Sequence, residues 1–300
     1  MQPILAAVLL LSFAALPARA QAPRDSLVVS AAWLQQHIRD SNLVLLHVGN
    51  KATYEAGHIV GARYVDYAST LAASDPQGLT LEMLPPQQLH ERLAALGVSD
   101  DSQVVVYQSD NMWTPSTRVM LTLDYAGLTN VSWLDGGQKA WVAAGGALTA
   151  DAPAIQMGKL SPLKLRPVVV DAEFVKGHLK TPGYAIVDAR VPAFYDGSRT
   201  GGRPPADHKT GHIEGAVNVP NDSFTTPDVQ LKPADEIAAA FRRAGVKPGD
   251  TVVTYCHIGQ QATATLFAAR TLGYKVMLYD GSFEDWSRQG LPVENPAAKK

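Results

Sequence analysis

Residues 241–255 read FRRAGVKPGDTVVTY, and residues 93–107 read LAALGVSDDSQVVVY. The two stretches align without a gap, and each contains the end of a helix, a Gly-Val stop and a β-branched run that predicts a strand. Three further pairs of segments match in the same order: 28–34 with 169–175, 57–62 with 211–216, and 135–141 with 280–286. The chain is therefore predicted to be a duplicated unit.

Strands and helices alternate within each half. The run 251–255 is β-branched, whereas Ile237, Ala240, Phe241 and Ala244 recur at helical spacing and mark one buried helix face. This alternation predicts α/β domains, each built on a mainly parallel sheet.

The order of the matches sets the domain boundaries. We place one domain at residues 21–150 and its homologue at residues 165–300, joined by a Pro- and Lys-bearing linker at residues 151–164. With 300 residues, of which 46% are hydrophobic and 18% charged, the chain is long enough for two buried cores.

The charge pattern argues against nucleic-acid partners. The formal net charge is -2 and no block of lysine or arginine stands out, so the electrostatic footprint of a nucleic-acid binder is missing. Small or anionic substrates, bound through local charge, remain compatible with this composition.

The N-terminus carries a candidate export signal. An apolar run from Ile4 to Leu16 precedes Ala18-Arg19-Ala20, which fits the small-residue rule for signal-peptidase cleavage. We expect residues 1–20 to be a signal peptide cleaved near Ala20, a periplasmic location, and no stable membrane association afterwards. An uncleaved anchor is the alternative, for which the run is short.

The chain has a single cysteine, Cys256, so it forms no internal disulfide even though export leads to an oxidising compartment. A free cysteine is commonly a small buried hydrophobe, and the alternative is a reactive thiol. Cys256 follows the predicted strand 251–255 and precedes a helical run, 262–272, that stops at Gly273. Open α/β sheets bind ligands at this carboxyl edge, which favours the reactive thiol.

The loop after the cysteine is short enough to curl around it. Residues 257–261 place backbone N–H groups near the thiol, and Gly259 permits a tight turn. These amides and the N-terminus of the next helix would favour the thiolate, which is the nucleophilic form of cysteine.

Four motifs of the second half resemble one known family. They are Val187-Asp188-Ala189-Arg190, Gly211-His212-Ile213-Glu214-Gly215-Ala216, Tyr255-Cys256-His257-Ile258-Gly259-Gln260-Gln261, and Tyr279-Asp280-Gly281-Ser282 followed by Trp286. Together and in this order they resemble the tandem-domain rhodaneses, which are sulfurtransferases, over essentially the whole mature chain. The resemblance implies a parallel five-stranded sheet flanked by helices in each domain, and an active site near the interdomain cleft.

The first domain departs from this pattern. The positions matching Cys256, Asp188 and Arg190 are Gln108, His47 and Gly49. The resemblance therefore implies that the first domain is the inactive copy, which either packs against and completes the second domain or recruits a partner.

The resemblance also implies the chemistry. Cys256 is expected to take the sulfane sulfur of an anionic donor such as thiosulfate, to hold it as a persulfide, and to pass it to cyanide or a thiol. Neither a metal nor an organic cofactor is expected, since the sequence has no His-Glu-x-x-His motif and no cysteine cluster. The physiological acceptor, which could be a protein, is not predicted.

Residues near Cys256 are assigned supporting roles from their positions in these motifs. Arg190 is expected to hold the anionic end of the donor, and Asp188 to orient the neighbourhood. The substrate-binding set is completed by His257, which would polarise the donor or carry a positive charge, and by Gly259, Gln260 and Gln261. The recurrent histidines His58 and His212 are expected to be structural.

The second domain carries an insertion between Tyr195 and Gly211 that the first domain lacks. It contains Arg199, Arg203, His208 and Lys209. One interpretation is a basic lip over the cleft. The interpretation that we favour is a solvated Gly/Pro-rich loop.

Three alternatives remain open in addition to thiosulfate transfer. A mercaptopyruvate sulfurtransferase typically has Cys-Gly-x-Gly in this loop, where the present chain has His257 and Ile258. A Cys-x5-Arg phosphatase would need an arginine where Ala262 stands. A carrier would hold sulfur on Cys256 for a partner without turnover on small donors.

Overall fold

The structure, a computed structural model, describes residues 23–74, 78–203 and 206–299. Two five-stranded sheets organise it, and every neighbouring pair of strands within them is parallel. The predicted α/β class and duplicated architecture are confirmed. The predicted signal peptide, residues 1–20, lies outside the described residues.

The first sheet has the strand order β1-β8-β7-β2-β4. The strands of this half are β1 (Val28–Val29), β2 (Leu43–Val48), β3 (His58–Ile59), β4 (Arg63–Val65), β5 (Ala72–Ser74), β6 (Thr80–Met83), β7 (Gln103–Gln108), β8 (Val131–Leu134) and β9 (Leu148–Thr149). Its helices are α1 (Pro23–Leu27), α2 (Ala31–His37), α3 (Lys51–Ala56), α4 (Tyr67–Thr70), α5 (Pro86–Ala95), α6 (Thr114–Tyr125) and α7 (Gly137–Ala143).

The second sheet has the equivalent order β10-β17-β16-β11-β15. The strands of this half are β10 (Val169–Val170), β11 (Tyr184–Asp188), β12 (Gly202–Arg203), β13 (Ala206–Asp207), β14 (His212–Ile213), β15 (Val217–Asn218), β16 (Thr251–Tyr255), β17 (Lys275–Tyr279) and β18 (Val293–Glu294). Its helices are α8 (Ala172–His178), α9 (Pro192–Tyr195), α10 (Ala234–Arg243), α11 (Ala262–Thr271) and α12 (Ser282–Arg288), with short 3-10 turns at Asn221–Ser223 and Pro296–Lys299.

The β-branched runs found in the sequence form the central strands, β7 and β16. Both are almost entirely buried, because a strand in the middle of a parallel sheet has helices on its faces. The predicted helix face is also found, since Ile237 and Phe241 of α10 are buried in the core.

One apolar cluster spans both domains. Trp113 and Trp133 of the first domain lie edge-on to Phe267 of α11, with ring centroids 6.3 and 6.0 Å apart. Helices α6 and α11 also contact each other, through the hydroxyl groups of Thr117 and Thr263 at 2.8 Å. The carboxyl ends of both central strands therefore lie near the domain boundary.

The connection between the domains contains neither helix nor strand from Ala150 to Val168. It runs along the first domain, where Gly158 donates to the carbonyl of Ala94 and Ser161 donates to the carboxylate of Asp100. In the ranges that the structure describes, no helix is long and apolar enough to cross a membrane.

Candidate active site

Cys256 lies where the sequence predicts it, between β16 and α11, in a loop of residues 256–261. Its side chain has 0% of its surface exposed. The thiol is therefore covered in this conformation, at the edge of the sheet where α/β proteins bind ligands.

Gly259 gives the loop its sharp turn. Its φ of +75° lies in the left-handed region, and a Cβ on this residue would be 2.6 Å from the carbonyl oxygen of Asp280. Both the backbone angle and the close approach require glycine at this position.

The peptide groups of the loop divide into two sets. The amide of Cys256 donates to Ser282 Oγ at 3.2 Å, and the carbonyl groups of Cys256 and His257 accept from the amides of Phe283 and Glu284 at 3.1 and 3.0 Å. By contrast, the amides of residues 257–261 have no hydrogen-bond acceptor in the part of the chain that the structure describes. The beginning of the loop, Cys256 and His257, is fixed to the 280–284 turn, while the amides of residues 257–261 remain available to an anion.

Ser282 was not singled out by the sequence analysis. It has a positive φ of +53°, rare for a residue with a side chain, and its hydroxyl accepts from the Cys256 amide while donating to the Tyr279 carbonyl at 2.8 Å. Its counterpart in the first domain, Gly137, has φ +55°. The signal in the sequence was the change from Asp-Gly-Gly to Asp-Gly-Ser between the two copies.

Arg190, which is expected to hold the anionic end of the donor, is buried and bonded to groups of the protein. Its guanidinium is 1% exposed, and its Nε and Nη2 donate to the Asp188 carboxylate at 2.6–3.1 Å while Nη2 also donates to the Gly211 carbonyl at 2.8 Å. Its Cζ lies 4.0 Å from the ring centroid of Phe283. Asp188 is two residues away on the same strand end, and a buried cation needs such a partner.

Arg190 nevertheless contributes charge to the site. Burial lowers the pKa of Arg190, but the Asp188 carboxylate, with a smaller contribution from Cys256, outweighs burial and leaves that pKa raised. The guanidinium therefore remains a cation in the neighbourhood of the cysteine loop. Asp188 orients this cation, as expected of a supporting residue.

His257 is packed against the insertion and is not an exposed loop side chain. Its ring lies edge-on to Phe194, with centroids 4.6 Å apart, and its Nδ1 is 3.3 Å from Nδ1 of His208. Burial lowers its pKa to about 3, helped by the charges of Arg190, His208 and Arg199. The lowered pKa favours the neutral imidazole at neutral pH, so polarisation of the donor is the expected role of His257 that agrees with it.

The insertion combines exposed residues at 198–200 and 202 with a short pair of strands and a buried histidine. Strands β12 and β13 form a hairpin, and His208 after it is only 7% exposed. Lys209 ties the end of the hairpin to α12 and the following residues, because its amide donates to Ser287 Oγ and its Nζ donates to two carbonyl groups. Local composition could not reveal these contacts, which join segments far apart in the sequence.

Gln260 and Gln261, both expected in the substrate-binding set, differ in their contacts. Gln260 donates from Nε2 to Thr114 Oγ1 of the first domain at 3.3 Å, so its side chain forms an interdomain contact. Gln261 occupies the N-cap position of α11 without a side-chain capping bond. A second interdomain contact that the sequence analysis missed is Arg118, whose Nη1 donates to the Gly259 carbonyl at 3.2 Å.

The recurrent histidines are structural, as predicted. His212 stacks on Tyr195 and bonds its carbonyl at 2.7 Å, while His58 stacks on Tyr54 and bonds its carbonyl at 2.8 Å. The same arrangement in both domains shows that it belongs to the fold.

The corresponding site of the first domain has different contents. Gln108, at the cysteine position, accepts from the indole of Trp133 at 2.8 Å. Burial, together with nearby His58, lowers the pKa of His47 to about 4. Where Arg190 would have its counterpart, a Cβ on Gly49 would lie 2.6 Å from Ser109 Oγ. The first domain thus has a packed polar cluster where the second domain has the Cys256 thiol and the Arg190 guanidinium.

No group of three or more histidine, cysteine or acidic side chains in the described ranges is arranged to hold a metal ion.

Comparison with known proteins agrees with the internal repeat. The family model described as "Rhodanese-like domain" matches residues 30–144 and again residues 171–289.

Curated relatives match along nearly the whole chain. The thiosulfate sulfurtransferase of Azotobacter vinelandii is 31% identical, with 89% of this chain and 97% of that protein covered. A putative thiosulfate sulfurtransferase of Synechococcus elongatus is also 31% identical, with coverage of 93% and 88%. The sulfur carrier protein TtuD of Thermus thermophilus is 29% identical, with coverage of 89% and 95%.

Solved structures share the fold. The anaerobic ergothioneine biosynthesis enzyme from Chlorobium limicola superposes with a TM-score of 0.81 at 23% identity, covering 91% of this chain and 71% of that one. YnjE superposes with a TM-score of 0.79 at 26% identity, covering 93% and 72%.

Proposed function

Because this chain belongs to the rhodanese family, we propose that it is a sulfurtransferase that moves the sulfane sulfur of thiosulfate to cyanide or a thiol through a persulfide on Cys256. The proposal rests on the site of the second domain and on the names of the relatives. The first domain, which has Gln108 at the equivalent position, serves as support.

One observation carries the proposal. Cys256 is the single thiol of the chain, and it begins a loop whose middle amides, residues 257–261, have no acceptor among the described residues. Inward-facing N–H dipoles stabilise a thiolate or a terminal persulfide sulfur, both of which are anions. The buried guanidinium of Arg190 adds a fixed positive charge.

The two half-reactions balance. The Cys256 thiolate attacks the outer sulfur of thiosulfate, a sulfur–sulfur bond forms, and sulfite leaves with the electron pair of the broken bond. Cyanide or a thiolate then attacks the outer sulfur of the persulfide, and thiocyanate or a new persulfide leaves while the Cys256 thiolate is restored. Splitting the transfer in this way is nucleophilic covalent catalysis, and ping-pong kinetics follow.

We infer that the loop amides supply the main contacts with the substrate. Since Nε and Nη2 of Arg190 are engaged by Asp188 and Gly211, the donor is held chiefly by the loop amides, with Arg190 acting through its field. His257 contributes as a neutral imidazole.

A sulfur carrier is the second candidate, and a specific observation favours it. The Cys256 side chain has no exposed surface, and a relative that matches most of the chain is named a sulfur carrier protein. A partner that opens the cover over His257 would then receive the sulfur. The carrier would be loaded by a donor but would turn over poorly on small acceptors.

We also propose that residues 1–20 direct export to the periplasm and are removed near Ala20. The apolar run and the Ala-Arg-Ala sequence support this proposal. The N-terminal residue of protein recovered from a periplasmic extract tests it, and an intact Met1 on that protein would refute it.

Steady-state sulfur transfer to cyanide tests the main proposal, with thiosulfate and mercaptopyruvate compared as donors. Cys256→Ser should abolish transfer, and Ser109→Ala is the matched control because it changes the corresponding loop of the first domain. We expect thiosulfate to give the higher kcat/KM. A clear advantage for mercaptopyruvate would reverse the donor assignment, and stoichiometric loading without turnover would support the carrier.

A further inference from the structure

Helix α6 of the first domain contacts the cysteine loop and the helix that follows it. Gln260 Nε2 donates to Thr114 Oγ1 at 3.3 Å, and the hydroxyl groups of Thr117 and Thr263 lie 2.8 Å apart. Arg118, one turn from Thr114, is 1% exposed. The inactive domain thus reaches the active loop through a single helix face.

Arg118 joins three separate segments. Its Nη1 donates to the Gly259 carbonyl at 3.2 Å and also pairs with the carboxylate of Asp280, while its Nη2 donates to the carbonyl of Leu81. The planar guanidinium can serve these directions at once, whereas an ammonium group at the same place could not hold them in one plane.

The contact with Gly259 fixes the orientation of a peptide plane. In a trans peptide the carbonyl of one residue and the N–H of the next point in opposite directions. With the Gly259 carbonyl turned toward Arg118, the amide of Gln260, in the same peptide plane, is turned away from Arg118. The φ of +75° at Gly259 makes this orientation accessible.

The contact with Asp280 fixes the other end of the loop. The second carboxylate oxygen of Asp280 accepts from the Met83 amide at 2.9 Å. Two residues later in the same turn, Ser282 accepts from the amide of Cys256. Arg118 is therefore connected to the loop at Gly259 directly and at Cys256 through the turn.

The arginine is found on one side only of an otherwise repeated interface. Asp135, the counterpart of Asp280, accepts from the Leu231 amide at 2.7 Å, as Asp280 accepts from Met83. The residue of α11 that matches Arg118 is Leu266. The backbone contact is thus present in both copies, whereas the guanidinium is present only where it faces the copy with the thiol.

We propose that Arg118 is a positioning residue for Cys256. By holding the Gly259 carbonyl outward it keeps the loop amides directed at the sulfur, and it thereby raises the thiolate fraction and the rate of the first sulfur transfer. Only the effect on the transfer rate rests on the proposed function.

Charged and titratable groups surround the loop on every side. They are Asp188 at the end of β11, Arg190 just after that strand, Tyr255 on β16, His257 in the loop, Arg199 and His208 in the insertion, and Asp280 and Glu284 in the facing turn. Since Asp280 balances the charge of Arg118, Arg118→Gln both releases the loop and leaves a carboxylate unpaired. Arg118→Lys keeps the positive charge and loses only the planar set of guanidinium hydrogen bonds. It therefore tests the positioning of the loop separately from the charge.

The experiment compares Arg118→Lys and Arg118→Gln with Arg270→Gln. Arg270 is an interdomain control, because its Nη2 pairs with Asp124 of α6 at 3.0 Å away from the loop. The thiolate of Cys256 is followed by its ultraviolet absorbance against pH, with Cys256→Ser as blank, and kcat and KM for thiosulfate are measured on the same proteins. We expect both Arg118 variants to move the thiolate midpoint to higher pH and to lower kcat about tenfold, while Arg270→Gln changes neither.

Arg118→Lys with an unchanged thiolate midpoint and unchanged kcat would overturn the proposal, as would equal shifts in Arg270→Gln. If neither variant folds, the proposal is tested on the wild-type protein. In a pH titration of that protein, the amide proton resonance of Gln260 must shift together with the thiolate absorbance of Cys256. A Gln260 amide resonance that does not change as the thiolate forms would also overturn the proposal. Since thiolate absorbance needs no sulfur donor, failure of the proposed function is distinguishable from failure of this inference.

Discussion

Ser282 shows how single residues adapt one copy of a repeated fold for chemistry. At φ +53° it occupies a conformation that costs a side-chain-bearing residue free energy and that Gly137 adopts in the first domain without that cost. What the serine adds is a hydroxyl that accepts from the amide of Cys256. Strain is retained where it fixes the residue that bears the thiol.

Substituting Ser282 separates strain from hydrogen bonding. Ser282→Ala keeps the strain and leaves the Cys256 amide unpaired, so we expect a loss of about 1–3 kcal/mol in the free energy of unfolding. Ser282→Gly relieves the strain and should be less destabilised, although kcat should fall in both. Denaturant titration and steady-state kinetics check this, and full activity in either variant would contradict the role of the hydroxyl.

His257 provides a prediction on titration. Its folded-state pKa of about 3 lies below the ordinary value of 6.5, so the unfolded chain takes up this proton first as the pH falls. The contribution of His257 to stability is therefore present above pH 6.5 and is lost as the pH falls toward 3. His208→Ala should raise the pKa of His257, which NMR titration of its imidazole would detect, and a midpoint near 6.5 already in the wild type would contradict the burial.

At the residue scale the sequence predicted positions better than contacts. The place of Cys256 followed from a strand, a short loop and a helix, and the structural roles of His58 and His212 followed from their recurrence. The hydrogen bonds between Arg190 and Asp188 could not be predicted, because the motif gives the sequence spacing of the two residues and not the orientation of their side chains. Arg118 was missed because its partners lie at residues 81, 259 and 280, far from it in the sequence.

The hairpin of β5 and β6 is the element through which the first domain covers the turn beside the cysteine loop. Met83 donates to Asp280, and Thr80 donates to Glu284 from its amide at 2.9 Å. Between them Glu82 faces a cavity of about 510 Å³ that Asp280 and Asp285 also line. Burial raises the pKa of Glu82 to about 7, with these carboxylates adding to the rise.

The raised pKa of Glu82 predicts how stability depends on pH. The folded protein keeps this proton up to about pH 7, whereas the unfolded chain releases it near 4.5, so stability falls as the pH rises between the two. Glu82→Gln should therefore stabilise the protein above pH 7 by about 1 kcal/mol, allowing for solvent screening, and should have no effect below pH 4.5. Thermal unfolding measured across pH checks this, with exposed Glu91→Gln as control, and a benefit independent of pH would contradict it.

At the element scale, local pattern accounts for what was predicted. The long β-branched and periodic segments predicted β7, β16 and α10, because the side chains of each segment themselves define a buried strand or helix face. The short hairpin of β12 and β13 has no such signal, since it is held by Lys209 and by the packing of His208 on His257. Elements made by distant contacts were the ones that sequence patterns did not reveal.

The whole molecule behaves as two copies around one core. Trp113 and Trp133 from the first domain and Phe267 from the second belong to a single buried cluster. The copies keep the same strand order and differ in the contents of their sites. Duplication therefore allowed one copy to retain the thiol while the other provides the surface against which the active loop is held.

A shared core predicts cooperative unfolding. Calorimetry should show one transition in place of two, because melting either domain exposes the surface of the other. Phe267→Ala should lower the free energy of unfolding by about 3–5 kcal/mol and should move the transition of both domains together. Two separate transitions in the wild-type protein, or a shift confined to the second domain, would contradict a common core.

The most direct test of the account is the intact mass of the protein after thiosulfate and then after cyanide. The account predicts a gain of one sulfur atom located on the peptide that contains Cys256, its loss on adding cyanide, and no gain in Cys256→Ser. A wild-type protein that transfers sulfur to cyanide while its mass never changes, or a serine variant that still gains the atom, would contradict it.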